Sequence, residues 1–231
     1  MTRVQSKPAK PARAVPAFSI DGGPSAADFR IILAHGAGAG ITSPFMEAMA
    51  GLLAERGIAF TFFEFAYMAG RRDGGSKRPP PRAEALVSEF RDRVKEARKL
   101  HRRQRLVIGG KSLGGRVASL LADELYATND IAGLICLGYP FHPPGTPEKL
   151  RTAHLEDLRC PALIVQGDRD PFGSRAEIEA LRLSPQINFA WMGDGDHDFG
   201  PRGRSGFTRK GNLAAAADAV AAFVATLPDP R

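Results

Sequence analysis

The stretch RLVIGGKSLGGRVASLLADEL, residues 105–125, decides the reading of this chain. It begins as an apolar β-strand, Leu106-Val107-Ile108, halts on Gly109 and Gly110, presents Lys111-Ser112, and spends Gly114 and Gly115 before an amphipathic helix. Glycine inside a regular element costs about 0.5–1 kcal/mol relative to alanine. Four of them around one serine therefore imply a backbone geometry that side chains would obstruct. Gly110-Lys111-Ser112-Leu113-Gly114 fits Gly-x-Ser-x-Gly between a strand and a helix, which lifts the Ser112 hydroxyl above a sheet at a helix N-terminus. A phosphate-binding loop would need glycine five positions before the Gly-Lys-Ser core, where Arg105 stands.

Working outward, apolar strand-like runs alternate with amphipathic segments. FRIILAH (29–35) precedes SPFMEAMAGLLAERG (43–57), and IAFTFFEFAY (58–67) leads through a Gly/Arg/Pro-rich loop (68–82) to a basic helix. IAGLICLGY (131–139), PALIVQG (161–167) and INFAWMG (187–193) follow, the last before NLAAAADAVAAFVATL (212–227). Six strand candidates with helices between them predict an α/β, doubly wound, mostly parallel sheet. Continuous apolar runs fit strands covered on both faces. In such a sheet, ligands bind beyond the carboxyl ends of the strands.

Each strand end carries chemistry. AHGAGAG (34–40) closes the first strong strand, and its small residues let the backbone turn N–H groups inward. The Ala37 or Gly38 N–H, with that of Leu113, would form a two-donor oxyanion hole. Gly38 is also a candidate substrate contact, and His35 is expected to tie the loop down. A dinucleotide fingerprint fails there because Ile41 stands at its third glycine position. QGDRDPFG (166–173) supplies Asp170 as the acid to orient a histidine, with Asp168 as runner-up; GDHDF (195–199) supplies His197. Asp194, Asp196 and Asp198 with one histidine make a weak metal set, so neither a metal nor a cofactor is expected.

Composition bounds the rest. The chain has 231 residues, 43% of them hydrophobic, and no 18-residue apolar run, so no membrane span is expected. The net charge of +7 is concentrated: residues 1–16 carry four cations and no anion, and residues 82–105 carry nine cations and four anions. Residues 1–24 read as a disordered basic tail and 25–231 as one domain. The basic helix reads as a solvated face; without a recognised binding module, nucleic acid is not an expected partner. Cys136 and Cys160 lie in apolar surroundings and suit a reducing, cytoplasmic setting. The sequence sets no oligomeric state.

At these residues the chain resembles an α/β-hydrolase, in particular the compact dienelactone-hydrolase-like members. YPFHPPGTPEKLRTAHL (139–155), with QGDRDPFG and GDHDF, is similar to predicted hydrolases of the testis-expressed and KANSL types. The resemblance implies a serine-hydrolase fold with Ser112, Asp170 and His197 as its triad, in the chain order nucleophile, acid, base, and implies little about substrate. The residues themselves suggest hydrolysis of a small ester or similar acyl compound. Too little sequence separates Tyr139 from Pro161 for a cap domain. The site is expected to be open, closed only by the 68–82 and 140–158 loops, with the leading antiparallel edge of larger relatives trimmed. Lys111 and Arg71, with Arg72, Lys77 and Arg78, would make either a basic rim suited to an anionic substrate or simply a solvated loop, and Tyr139 and Phe141 could line an acyl pocket or serve as plain packing. The rival class is a catalytically silent scaffold on the same fold.

Overall fold

The computed structural model describes residues 18–72 and 79–228. Seven strands form one sheet: β1 (Ser19–Gly22), β2 (Phe29–Ala34), β3 (Ala59–Phe63), β4 (Arg105–Lys111), β5 (Gly133–Leu137), β6 (Ala162–Gly167) and β7 (Ile187–Met192). Their order is β1-β3-β2-β4-β5-β6-β7, with β1 antiparallel to β3 and every other pairing parallel. This is the doubly wound α/β-hydrolase arrangement without a separate cap. The described connection from β5 to β6 holds only a single short helical turn, at Ala153–Leu155.

Helices cover both faces, as continuous apolar strands require. On one face α3 (Ala83–Leu100) and α4 (Leu113–Ala127) pack Phe90, Val94, Val117 and Leu121 against Ile32, Ile108 and Leu134. On the other, α1 (Pro44–Glu55) and α6 (Arg209–Thr226) pack Met49, Leu53, Ala217 and Val220 against Ile31, Leu33, Val107 and Ile135. Successive residues of a strand point to opposite faces, so Ile31 and Ile32 serve different cores. Asp218 of α6 accepts from Arg56, just after α1, at 2.7 Å, and Arg91 of α3 donates to Glu124 of α4 at 2.8 Å.

Two expectations need correction. The sheet has seven strands rather than about six, because one antiparallel edge strand is present: Ser19–Gly22, placed by sequence in the tail, pair with β3 from Gly22↔Phe60 to Ser19↔Phe63. Arg30 pins this edge, donating to Asp21 Oδ1 at 3.1 Å and Phe60 O at 2.7 Å. The run 58–67 is also not one strand. β3 ends at Phe63, and α2 (Ala66–Arg72) begins in what read as strand and loop. Phe65, Met68 and Ala69 are buried at helical spacing, so the apolar run continues across a change of element. The rest of the tail, residues 1–17, lies outside the described residues.

Candidate active site

The ends of β2, β4, β6 and β7 converge because parallel strands in register finish at one edge. Ala34 is paired with Gly110, and Gly167 with Met192. Immediately past β4, Ser112 adopts φ 50° and ψ −112°, a left-handed conformation that L-residues avoid. The flanking glycines make this turn possible. A Cβ at Gly110 would lie 2.5 Å from Ala34 O, and one at Gly114 would lie 2.5 Å from Ala34 O and 2.7 Å from His35 O.

His197 Nε2 is 2.8 Å from Ser112 Oγ, and His197 Nδ1 is 2.7 Å from Asp170 Oδ2. The network assigns the tautomer: Nδ1–H donates to the carboxylate, which leaves the Nε2 lone pair facing the Ser112 hydroxyl. Asp170 is buried and further fixed by Gln166 Nε2, which donates to Oδ2 at 3.0 Å, and by Phe172 N, which donates to Oδ1 at 2.9 Å. The Phe172 ring lies over His197 with centroids 4.3 Å apart. Asp168, the alternative acid, instead accepts from Asp194 N at 3.1 Å and braces the turn below the histidine loop.

His35 is wholly buried and organises the facing loop. Its Nε2 accepts from Phe65 N at 3.1 Å, so Nδ1–H donates to Gly36 O at 2.6 Å. Tyr67 Oη donates to Ala37 O at 3.2 Å, and Arg71 Nη1 lies 3.5 Å from the same oxygen. The N–H and C=O of a trans peptide point in opposite directions. The Ala37 and Gly38 amides are thereby turned away from His35, Tyr67 and Arg71.

Burial drives the His35 pKa from its ordinary 6.5 to about 4. The unfolded chain binds the proton first as pH falls, so this stability contribution is complete above about 6.5 and is lost between there and about 4. It amounts to about 3 kcal/mol at most. Urea unfolding of wild type and His35→Gln at pH 7 and pH 4.5 should show the wild type losing more stability between the two. Equal losses would refute the buried neutral imidazole.

Several residues stand elsewhere than the sequence suggested. Lys111 is buried rather than on a rim: its Nζ donates to His197 O at 2.8 Å, pairs with Asp198 Oδ1 at 3.2 Å, and lies 5.2 Å from the Phe45 ring centroid. Burial lowers its pKa, while Asp198 and Asp170 oppose the shift. Arg71 is behind the 36–38 loop, its guanidinium over the Tyr67 ring, and does not line the cavity. Lys77, Arg78 and the Arg72 side chain lie outside the described residues. Tyr139 and Phe141 are core residues: their rings pack edge to face at 4.9 Å, and Tyr139 Oη donates to Arg151 O at 2.9 Å. Neither lines the space at Ser112.

That space is a cavity of about 670 Å³ lined by Gly36–Ala39, Ser43–Met46, Lys111, Ser112, Phe172 and the 196–200 loop, with Arg209 at its border. Its walls are thus the N-terminus of α1 and the histidine loop, not the described parts of the 68–82 and 140–158 loops. Phe45, Met46, Phe172 and Gln166 escaped the sequence reading. Gln166 was detectable in principle, as a lone amide inside the apolar run PALIVQG, where burial demands partners.

The three aspartates near His197 are committed to local structure. Hydrogen bonds from Arg202, with the charge of Arg169, hold the Asp194 carboxyl at about 2. Asp196 Oδ1 accepts from Asp198 N and Gly200 N at 2.9 and 2.8 Å, and Asp198 faces Lys111.

Comparison with known proteins agrees with this fold. The chain is similar to a dienelactone hydrolase from Anabaena variabilis, at 20% identity over 93% of each chain with a TM-score of 0.70. It is also similar to an alpha-beta serine hydrolase homologue from Coxiella burnetii, at 19% identity over 79% of this chain and 84% of that one, TM-score 0.63. A lidless a/b serine hydrolase from Xanthomonas campestris, XC6422, matches at 18% identity over 79% and 81%, TM-score 0.56. A family model described as an alpha/beta hydrolase domain matches residues 27–225, most of the sequence, and the chain belongs to that family.

Proposed function

We propose that this hydrolase is a serine esterase or acyl hydrolase acting on small acyl compounds, with Ser112 as nucleophile, His197 as general base and acid, and Asp170 as its orienting carboxylate. The observation that carries the reading is the unbroken series from Asp170 Oδ2 to His197 Nδ1, and from His197 Nε2 to Ser112 Oγ, at 2.7 and 2.8 Å. Both separations are within reach for proton transfer.

The chemistry follows from these contacts. Ser112 Oγ attacks the substrate carbonyl carbon as its proton passes to His197 Nε2, and Asp170 stabilises the imidazolium. The carbonyl π electrons move onto oxygen. The Leu113 N–H, in the first turn of α4 and so without an intrahelical partner, is one donor for that oxyanion. The Ala37 N–H, turned away from His35, is the other, with Gly38 next to it at the cavity wall. Collapse expels the alcohol, which takes the proton from His197. Water, deprotonated by the same nitrogen, then attacks the acyl-serine and releases the acid.

The cavity's apolar side, Phe45, Met46 and Phe172, suits a small acyl group, and no metal or cofactor enters the scheme. No helix among the described residues is long and apolar enough to cross a membrane. Cys136 and Cys160 are free and buried, which supports a cytoplasmic setting.

A fluorophosphonate probe should label the purified chain once, on the peptide containing Ser112, and p-nitrophenyl butyrate should be hydrolysed. Labelling with no turnover across a broad ester panel would favour the silent-scaffold reading. No labelling would overturn the nucleophile assignment.

A further inference from the structure

The loop that delivers His197 leaves an edge strand and must reach a nucleophile three strands away, since β7 is separated from β4 by β6 and β5. It crosses the intervening strand ends at glycines. A Cβ at Gly167 would lie 2.3 Å from Asp196 O, and one at Gly138 would lie 3.0 Å from His197 O. The loop is internally braced by Asp196 and held from α6 by Asn212, whose Nδ2 donates to Gly193 O at 3.0 Å and Phe199 O at 2.9 Å. Those ties hold its base. Its far side meets the end of β4 through the His197–Ser112 bond and through Lys111.

We propose that Lys111 is a positioning residue for His197, setting the height of the histidine backbone over β4 and so the reach of the imidazole to Ser112 Oγ. This inference rests on the serine-hydrolase reading above. The geometry is specific. Lys111 is the last residue of β4, adjacent to Ser112, so a single rigid strand end carries both the nucleophile and the anchor. Its buried ammonium needs compensation, which the His197 carbonyl at 2.8 Å, the Asp198 carboxylate at 3.2 Å and the Phe45 ring face provide. A charge-assisted bond to a carbonyl is roughly twice as strong as a neutral one. It acts on the peptide of the catalytic residue itself, where a displacement moves the ring directly. A misplacement of about 1 Å in a catalytic group costs about 100-fold in rate.

The experiment compares wild type, Lys111→Met and Asp198→Asn in hydrolysis of p-nitrophenyl butyrate and in the rate of fluorophosphonate labelling. Lys111→Met keeps the length and apolar stem of the side chain but removes the ammonium. It should keep its circular dichroism spectrum, lose about 100-fold in kcat with KM within about threefold of wild type, and be labelled correspondingly more slowly. Asp198→Asn removes the carboxylate paired with the Lys111 ammonium, loosening its hold on His197 O, and should lose about tenfold in kcat, again at near-constant KM.

An unlabelled wild type would overturn the hydrolase reading itself. A labelled wild type with Lys111→Met equal to it in kcat and labelling rate would leave that reading standing and overturn this inference. Should Lys111→Met fail to fold, Asp198→Asn decides: a kcat loss at constant KM supports positioning, and unchanged kcat refutes it.

Discussion

Replacing Ser112 by glycine or by alanine is expected to abolish ester hydrolysis equally, by about 10⁵-fold in kcat, while the glycine variant is the more stable of the two. Both substitutions remove Oγ and its bond to His197, so their activities should coincide. They differ in the Cβ, and Ser112 has φ 50° with ψ −112°. A non-glycine residue held in so sparsely populated a region costs about 1–3 kcal/mol. Alanine inherits that strain and glycine does not, although glycine gains more freedom in the unfolded chain, by about 0.5–1 kcal/mol. The net expectation is an advantage for glycine of about 1 kcal/mol, or about 2–4 °C in Tm for a chain of this size. Glycine is also the better N-cap of the two, and Ser112 is the N-cap of α4, so capping acts in the same direction as the strain. Thermal unfolding of both variants checks the strain, and ester turnover checks the nucleophile. An alanine variant as stable as glycine would mean that the turn is relaxed, and retained turnover in both would mean that another residue attacks.

The same turn shows why so much of the site was legible in the chain. Gly-x-Ser-x-Gly after an apolar strand leaves few backbone solutions, and the acid and histidine follow at the ends of β6 and β7, which are adjacent in the sheet. Side-chain direction was not legible. Lys111 read as a rim cation because a lysine beside a serine in a glycine-rich turn has no periodicity to say which way it points. The structure turns it inward, since a partner for its charge arrives from a loop 86 residues further along the chain. Tyr139 and Phe141 read as pocket walls because they follow a strand end, but the chain there folds down over the α4 face of the sheet rather than up around the cavity. β1 was missed for a related reason. SIDG has too little apolar character to signal a strand, and its place depends on nonlocal pairing with β3 and on the Arg30–Asp21 contact.

The largest stability effects should come from the glycines around Ser112. A Cβ at Gly109 would be built 1.9 Å from Ile135 O on the neighbouring strand. At Gly114 it would meet Ala34 O at 2.5 Å and His35 O at 2.7 Å, and at Gly115 it would meet Gly110 O at 2.8 Å. These obstacles are backbone atoms of central strands and of the turn itself, which cannot rotate aside as a side-chain tip would. The strand or helix must therefore move, and β4 lies between β2 and β5 with α4 packed above it. Overpacking of this kind costs about 3 kcal/mol or more, so Gly109→Ala and Gly114→Ala should each consume a large share of the stability of a chain this size. Gly51 supplies the internal control. It lies on the exposed side of α1 with nothing within 4 Å of an added Cβ, so Gly51→Ala should raise stability by about 1 kcal/mol through helix propensity alone. Urea unfolding of the three variants should give midpoints below, below and above wild type. A Gly114→Ala midpoint matching wild type would show that α4 stands further from β2 than these distances require, and with it the approach that brings Ser112 under the Ala37 loop would fall.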